Sequence, residues 1–104
     1  MTLAHDFADS DRIRLIARDD SANIRRGYQI ERSTDLFGHV IIDWHWGRIG
    51  TSGQSRRVSF ANDSGATAFV RSLLRRRDGS GKRIGVDYVP ISSTSLPQAQ
   101  NGTL

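Results

Sequence analysis

The period of the apolar residues changes at Asn62-Asp63-Ser64, and this change constrains the fold more than any other feature of the chain. Downstream, Ala66, Phe69, Val70, Leu73 and Leu74 fall at i, i+3, i+4, i+7 and i+8, one apolar stripe of a helix. Asn62, Asp63 and Ser64 are residue types that cap helix N-termini, and Gly79 follows Asp78, which predicts a helix over residues 64 to 78. Upstream, side chains alternate with the two-residue period of strands. Strands are expected at residues 12 to 18, 26 to 33, 39 to 49 and 54 to 60, with turns between them. A short strand near Val86 to Val89 can rejoin the sheet before Pro90. The expected fold is α+β: a twisted antiparallel sheet of about four to five strands with one helix packed across a face.

The chain of 104 residues is expected to carry one domain over residues 12 to 91. Residues 1 to 11 read as a flexible acidic leader and 92 to 104 as a disordered polar tail. No run of about 18 apolar residues is present, and the segment Met1 to Phe7 lacks the basic and apolar regions of a signal peptide. Without cysteine there is neither a disulfide framework nor a thiolate metal site. A soluble cytoplasmic protein is expected, nucleoid-associated if it binds DNA. Net charge is +4, but residues 12 to 89 hold 15 basic and 8 acidic side chains, a net +7. Fourteen of the basic residues are arginine, the side chain that pairs bidentately with phosphate and stacks on bases.

In the run Val40 to Gly50, strand alternation places Trp46 and Arg48 on one face, either side of Gly47. A flat apolar ring beside a permanent planar cation suits a ligand with both a ring and an anion, as a nucleotide has. The alternatives are structural. Trp46 and Trp44 share a parity and could both pack beneath the helix, and Arg48 could pair with Asp43 or Glu31. Gly47 would let a partner approach, while Gly50 and Gly53 would permit positive φ in the turn. Arg56 and Arg57 face opposite ways, so one of them can extend a basic track from Arg48. Arg71, Arg75, Arg76 and Arg77, with Lys82 and Arg83 beyond them, suit the negative end of a helix dipole and also attract a polyanion. No phosphate-loop motif occurs. His39 and His45 are separated by about 20 Å of strand, too far to share an ion. No catalytic constellation, cofactor site or metal site is expected.

The run resembles the signature of the WGR domain, which is named for the tripeptide and known from DNA-damage-dependent poly(ADP-ribose) polymerases and small bacterial proteins. The resemblance takes in Arg12-Ile13-Arg14-Leu15-Ile16, Asn23 to Tyr28, Asp35-Leu36-Phe37-Gly38, Gly47-Arg48-Ile49-Gly50, Gly53-Gln54 and the helix near residues 64 to 78. It covers most of residues 12 to 89. It implies a non-catalytic module that meets DNA ends or nicks, with Trp46 against a sugar, Arg48 near the backbone and Arg25 and Arg26 as further contacts. Trp44 departs from the polar or basic side chain common in the family. RNA is an alternative ligand. The resemblance also implies a second role, protein–protein relay or adaptor work through the same Trp–Arg face. In a one-domain chain such a relay would run to a separate protein. The acidic leader would then be placed to shield the basic face.

Overall fold

The computed structural model describes residues 2 to 91; the polar tail expected over 92 to 104 lies outside the described residues. Strand β1 (Arg12–Asp19) leads through a one-turn 3-10 helix to β2 (Ile24–Thr34), followed by β3 (Val40–Arg48) and β4 (Gln54–Phe60). Helix α2 (Asp63–Asp78) comes next, preceded in the chain by a short helix α1 (Leu3–Phe7) before β1. A second short helix, α3 (Ser80–Ile84), leads into the two-residue strand β5 (Val89–Pro90). The sheet has five strands in the order β4-β3-β2-β1-β5, every pair antiparallel. The fold is α+β, as the two periods in the sequence imply.

One face of the sheet is covered and the other is open. Ile13, Leu15 and Ala17 of β1, Tyr28 and Ile30 of β2, and Val40 and Ile42 of β3 are buried on the covered face. Ala66, Val70 and Leu74 of α2 lie against them with no exposed surface. The expected stripe therefore splits. Ala66, Val70 and Leu74 enter the core, while Phe69 and Leu73 are half-buried beside β3. The Asn62 side chain accepts from Gly65 N at 2.9 Å, satisfying one orphan donor at the start of α2.

Residues 1 to 11 differ from the expected flexible leader. Leu3, Ala4 and Ala8 are buried, and α1 packs on α2. The Asp78 carboxylate, at the end of α2, accepts from Leu3 N at 2.7 Å and Ala4 N at 3.1 Å. Thr2 Oγ1 accepts from His5 N. Acidic composition points to solvent, but two apolar residues and a carboxylate 74 residues away are enough to seat one helical turn. At the close of the fold the expected short strand rejoins the sheet as β5, beside β1 and extending to Pro90, while helix α3 before it was not expected. Buried Ser80 accepts from Tyr88 N and donates to Val86 O, both at 3.1 Å, which ties α3 to the approach of β5. Among the described residues no helix is long and apolar enough to cross a membrane.

Candidate nucleic-acid interface

The register of the sheet arranges the covered face in rows across the strands. Val40 pairs with Phe60 and Ile42 with Val58, then Trp44 with Arg56, and Trp46 with Gln54 and Tyr28. The last row sets Arg26 directly opposite Arg48. The face thus grades from aliphatic through aromatic to cationic along the strands. Like charges directly opposite one another destabilise a sheet, so the Arg26–Arg48 pair serves no evident purpose in holding β2 to β3.

Trp46 and Trp44 are both half-buried. Their rings lie 20° from parallel with centroids 6.5 Å apart, and Phe69 of α2 meets Trp44 edge-on at 5.1 Å. Trp44 is accordingly the more tightly held by the helix. Trp46 separates two hollows. One, of about 520 Å³, is lined by Trp46, Arg26, Arg48, Arg77, Tyr88 and the loop at Asn23. The other, of about 510 Å³, is lined by Trp44, Trp46, Arg56, Arg76, Arg77 and the side of α2.

Arg48 does not pair with Asp43 or Glu31. Its guanidinium donates to Asn23 O at 3.1 Å and Asn23 Oδ1 at 2.7 Å, which orients it without cancelling its charge. The two carboxylates are engaged on the open face. Arg12 pairs with Glu31 at 2.7 Å and Arg57 with Asp43 at 2.6 Å. Because Glu31 and Asp43 are themselves cross-strand neighbours, the row Arg12–Glu31–Asp43–Arg57 runs across four strands with no net charge. Hydrogen bonding and charge from Asp43 raise the Arg57 pKa further above its ordinary value. Arg18 and Arg25 share Asp20, each at 3.0 Å, and the bond from Arg18 chiefly holds the Asp20 pKa below the usual carboxylate range.

The candidate residues therefore divide. Arg26, Arg48, Arg56 and Arg76 gather around Trp46, and among the described residues none of them has a carboxylate within salt-bridge distance. Arg57 faces the other side and is paired, while Arg25, which shares Asp20 with Arg18, also lines the hollow at Asn23. Arg75 lines neither hollow, and Lys82 is exposed on α3. Arg83 donates to Arg76 O at 2.6 Å, closing the C-terminal end of α2 as a helix dipole favours. Asp6, Asp9 and Asp11 form no ion pair with these arginines among the described residues. Asp11 sits beside Arg32, at the other end of β2 from Arg26, because Arg32 N donates to Asp11 O.

Two residues bear more closely on this arrangement than their sequence context suggests. Arg77 holds its guanidinium 4.4 Å above the Tyr28 ring and 5.5 Å from that of Tyr88, and lines both hollows. It continues the buried spacing 66, 70, 74, 77, so the helical stripe carried its signal. Burial pushes the Tyr28 hydroxyl up to about 12, against the opposing pull of Arg77. Asn23 is the other, and nothing in its sequence context marks it as the partner of Arg48.

The glycines act within the turn. A Cβ on Gly47 (φ +154°) would stand 2.7 Å from Gly53 Cα, and one on Gly53 (φ +62°) would overlap the Trp46 carbonyl. Gly47 thus admits the returning chain, where the sequence suggested room for a partner. Ser52 O lies within hydrogen-bond distance of His45 Nε2, and Thr51 Oγ1 donates to Arg48 O at 2.7 Å, so the same turn fixes the end of the signature strand. Among the described residues no three His, Cys, Asp or Glu side chains form a metal-ligand set. A third hollow, of about 280 Å³, opens on the uncovered face beside Arg14 and Gln29, but neither tryptophan lines it.

Comparison with known proteins bears on this arrangement. An uncharacterized protein, y4dW, of Sinorhizobium fredii is 35% identical over 65 residues. The match takes in 62% of this chain and 32% of the relative, so the chain spans about a third of that protein's length. Residues 12–83 match the WGR domain, a span that holds all five strands but β5, the whole of α2 and both hollows' arginines. The chain belongs to the WGR domain family, a non-catalytic family known as a nucleic-acid-binding module in poly(ADP-ribose) polymerase-like proteins.

Proposed function

We propose that the chain is a non-catalytic DNA-binding module that recognises ends or nicks, with Trp46 against a terminal sugar or base and Arg48 and Arg26 on the adjoining backbone. The observation that carries this reading is the sorting of charge. Among the described residues Arg26, Arg48, Arg56, Arg76 and Arg77 stand around Trp46 without a carboxylate and Arg25 at the rim shares Asp20, whereas on the open face Arg12, Arg18 and Arg57 have carboxylates and Arg14 does not. A surface arginine retained merely for solubility has no reason to be segregated in this way. Phosphate is the ligand that rewards a cluster of uncompensated guanidiniums. An aromatic ring among them favours a site where a sugar or base is exposed, and a strand terminus or nick provides one while a continuous duplex does not. A cellular role in the response to DNA damage follows from this reading.

Fluorescence anisotropy against blunt, nicked and covalently closed circular duplex, at two salt concentrations, tests it. Binding should weaken as salt rises, with a log–log slope of about −3.6 for four neutralised phosphates. It should favour ends or nicks, and fall in Trp46→Ala and Arg48→Ala while both variants melt cooperatively. Equal affinity for closed circles would remove the end-recognition element; salt-independent binding would remove the phosphate contact itself.

A protein-adaptor role is the second reading, and a different surface favours it. Leu36 and Phe37 are 99% and 84% exposed at the tip of the β2–β3 hairpin. The Asp35 carboxylate holds that tip in shape by accepting from Phe37 N and His39 N. A partner retained after nuclease treatment and lost in Phe37→Ser would support this role.

A further inference from the structure

We propose that the hollow between Trp44 and helix α2 seats a single unpaired nucleotide, with its base against the tryptophans and its phosphate among Arg56, Arg76 and Arg77. The inference rests on the reading of Trp46 and Arg48 as a DNA-end contact and extends it to the form of the end. A terminus with a short single-stranded overhang has a second place to bind, which a blunt terminus leaves empty.

The argument begins with strand register. Trp44 shares the covered face with Trp46 and sits across from Arg56 on the edge strand β4, so ring and cation stand side by side. The edge-on contact from Phe69 braces the Trp44 ring against the helix. The hollow beyond it, about 510 Å³, falls within the range of small-ligand sites. Its second wall is the side of α2, from which Arg76 and Arg77 reach it. Arg77 is held over Tyr28 and Tyr88 by ring faces, and its Nε is buried with no hydrogen-bond partner. No acceptor among the described residues takes a hydrogen bond from this guanidinium, so an anion entering the hollow meets donors without competition.

Charge complementarity selects the occupant. An apolar peptide side chain would match the rings but would strand three guanidiniums, and a bare phosphate would match the guanidiniums but leave the indoles uncovered. A nucleotide satisfies both. Since Trp46 and Arg77 border both hollows, a strand lying beside Arg26 and Arg48 can continue past Trp46 into the second hollow.

The test compares one duplex in two forms, blunt and with a three-thymidine overhang, using the protein's own fluorescence. Both tryptophans border this hollow and Trp46 borders the other as well, so quenching in excess of that given by the blunt duplex reports its occupancy. The overhang form should bind about tenfold more tightly than the blunt form and quench more strongly. Trp44→Leu should bring the ratio of the two affinities close to one. So should Ser72→Phe, which fills the hollow from an exposed position on α2 whose hydroxyl bonds only to Phe69 O within the helix. Ser72→Phe should keep the blunt-end affinity, which separates blocking of the hollow from loss of fold. A wild-type ratio of one with blunt-end binding intact overturns the nucleotide seat and leaves end recognition standing. A ratio that survives both substitutions overturns it as well. No binding to either duplex sinks the DNA reading and the seat together.

Discussion

Arg48 gives two hydrogen bonds to one residue, Asn23, through the backbone oxygen at 3.1 Å and the side-chain oxygen at 2.7 Å. Asn23 sits in the left-handed region at φ 57°, where asparagine is tolerated better than most residues, and ends the 3-10 turn that follows β1. The turn thereby offers both acceptors to a strand 25 residues away. Neither is charged, so Arg48 is held in place with its positive charge intact.

Replacing Asn23 by Gly keeps the backbone conformation and deletes the 2.7 Å bond. DNA affinity should fall about fivefold, the equivalent of one hydrogen bond of roughly 1 kcal/mol, with a nearly unchanged melting temperature. Asn23→Ala should show the same affinity loss plus about 1–2 kcal/mol of instability from the left-handed backbone. Titration and thermal melting measure the two effects separately. An unaltered affinity in Asn23→Gly would mean that orientation of Arg48 does not limit binding.

Arg56 and Arg57 are neighbours in sequence and opposites in environment. Arg57 is bonded to Asp43, whereas Arg56 borders the hollow beside Trp44 and Trp46. Arg56→Gln should make the salt slope of DNA binding shallower by about 0.9, the share of one phosphate. Arg57→Gln should leave the slope as it is. Equal changes in both would show that the protein acts on DNA as a diffuse positive sphere.

Gly47→Ala places a methyl group 2.7 Å from Gly53 Cα on a backbone at φ +154°. Overpacking against main chain typically costs about 1–3 kcal/mol, and the unfavourable backbone adds to it. Urea denaturation should show that loss. Gly50→Ala tests backbone strain alone, since Gly50 has positive φ but nothing within 4 Å of the added carbon. It should cost less than Gly47→Ala, and the reverse order would refute the steric account.

Burial raises the Tyr28 pKa from 10.0 to about 12. The buried phenol therefore stabilises the fold fully below pH 10, and this contribution is lost as pH rises through 10 towards 12. A shift of two units corresponds to roughly 2–3 kcal/mol. Ultraviolet titration of a Tyr88→Phe variant should find the remaining tyrosine still ionising above its ordinary value, since burial is the main cause and Tyr88 a smaller one. Adding Arg77→Met should push it higher still, because the cation favours the phenolate. A fall would show that Arg77 does not lie over the ring in solution.

Much of this fold is legible along the chain because the two periods, two residues and 3.6, are local properties of backbone geometry. Ala66, Val70 and Leu74 declare a buried helix face, and alternation about Tyr28 and Ile30 declares a half-covered strand. Parity likewise places Trp44, Trp46 and Arg48 on one side of β3. Residues 3 to 8 were not legible in this way. Their acidic neighbours suggested a free leader, while the groups that seat them lie far along the chain on α2, with Asp78 more than 70 residues away.

The chemical character of the site depends on what meets what across the sheet. Arg25 finds its carboxylate close by in the chain, at Asp20, but the partners of Arg12 and Arg57, Glu31 and Asp43, are distant in sequence, and parity alone cannot make that assignment. Strand register decides it, by sending the acids to the open face and leaving Arg26, Arg48 and Arg56 uncompensated beside Trp46. The sequence by itself determined the elements and their apolar faces, because those follow from neighbours along the backbone. The tertiary structure alone determined which cations remain unpaired, because Coulomb attraction depends on distance in space and acts without regard to order along the chain.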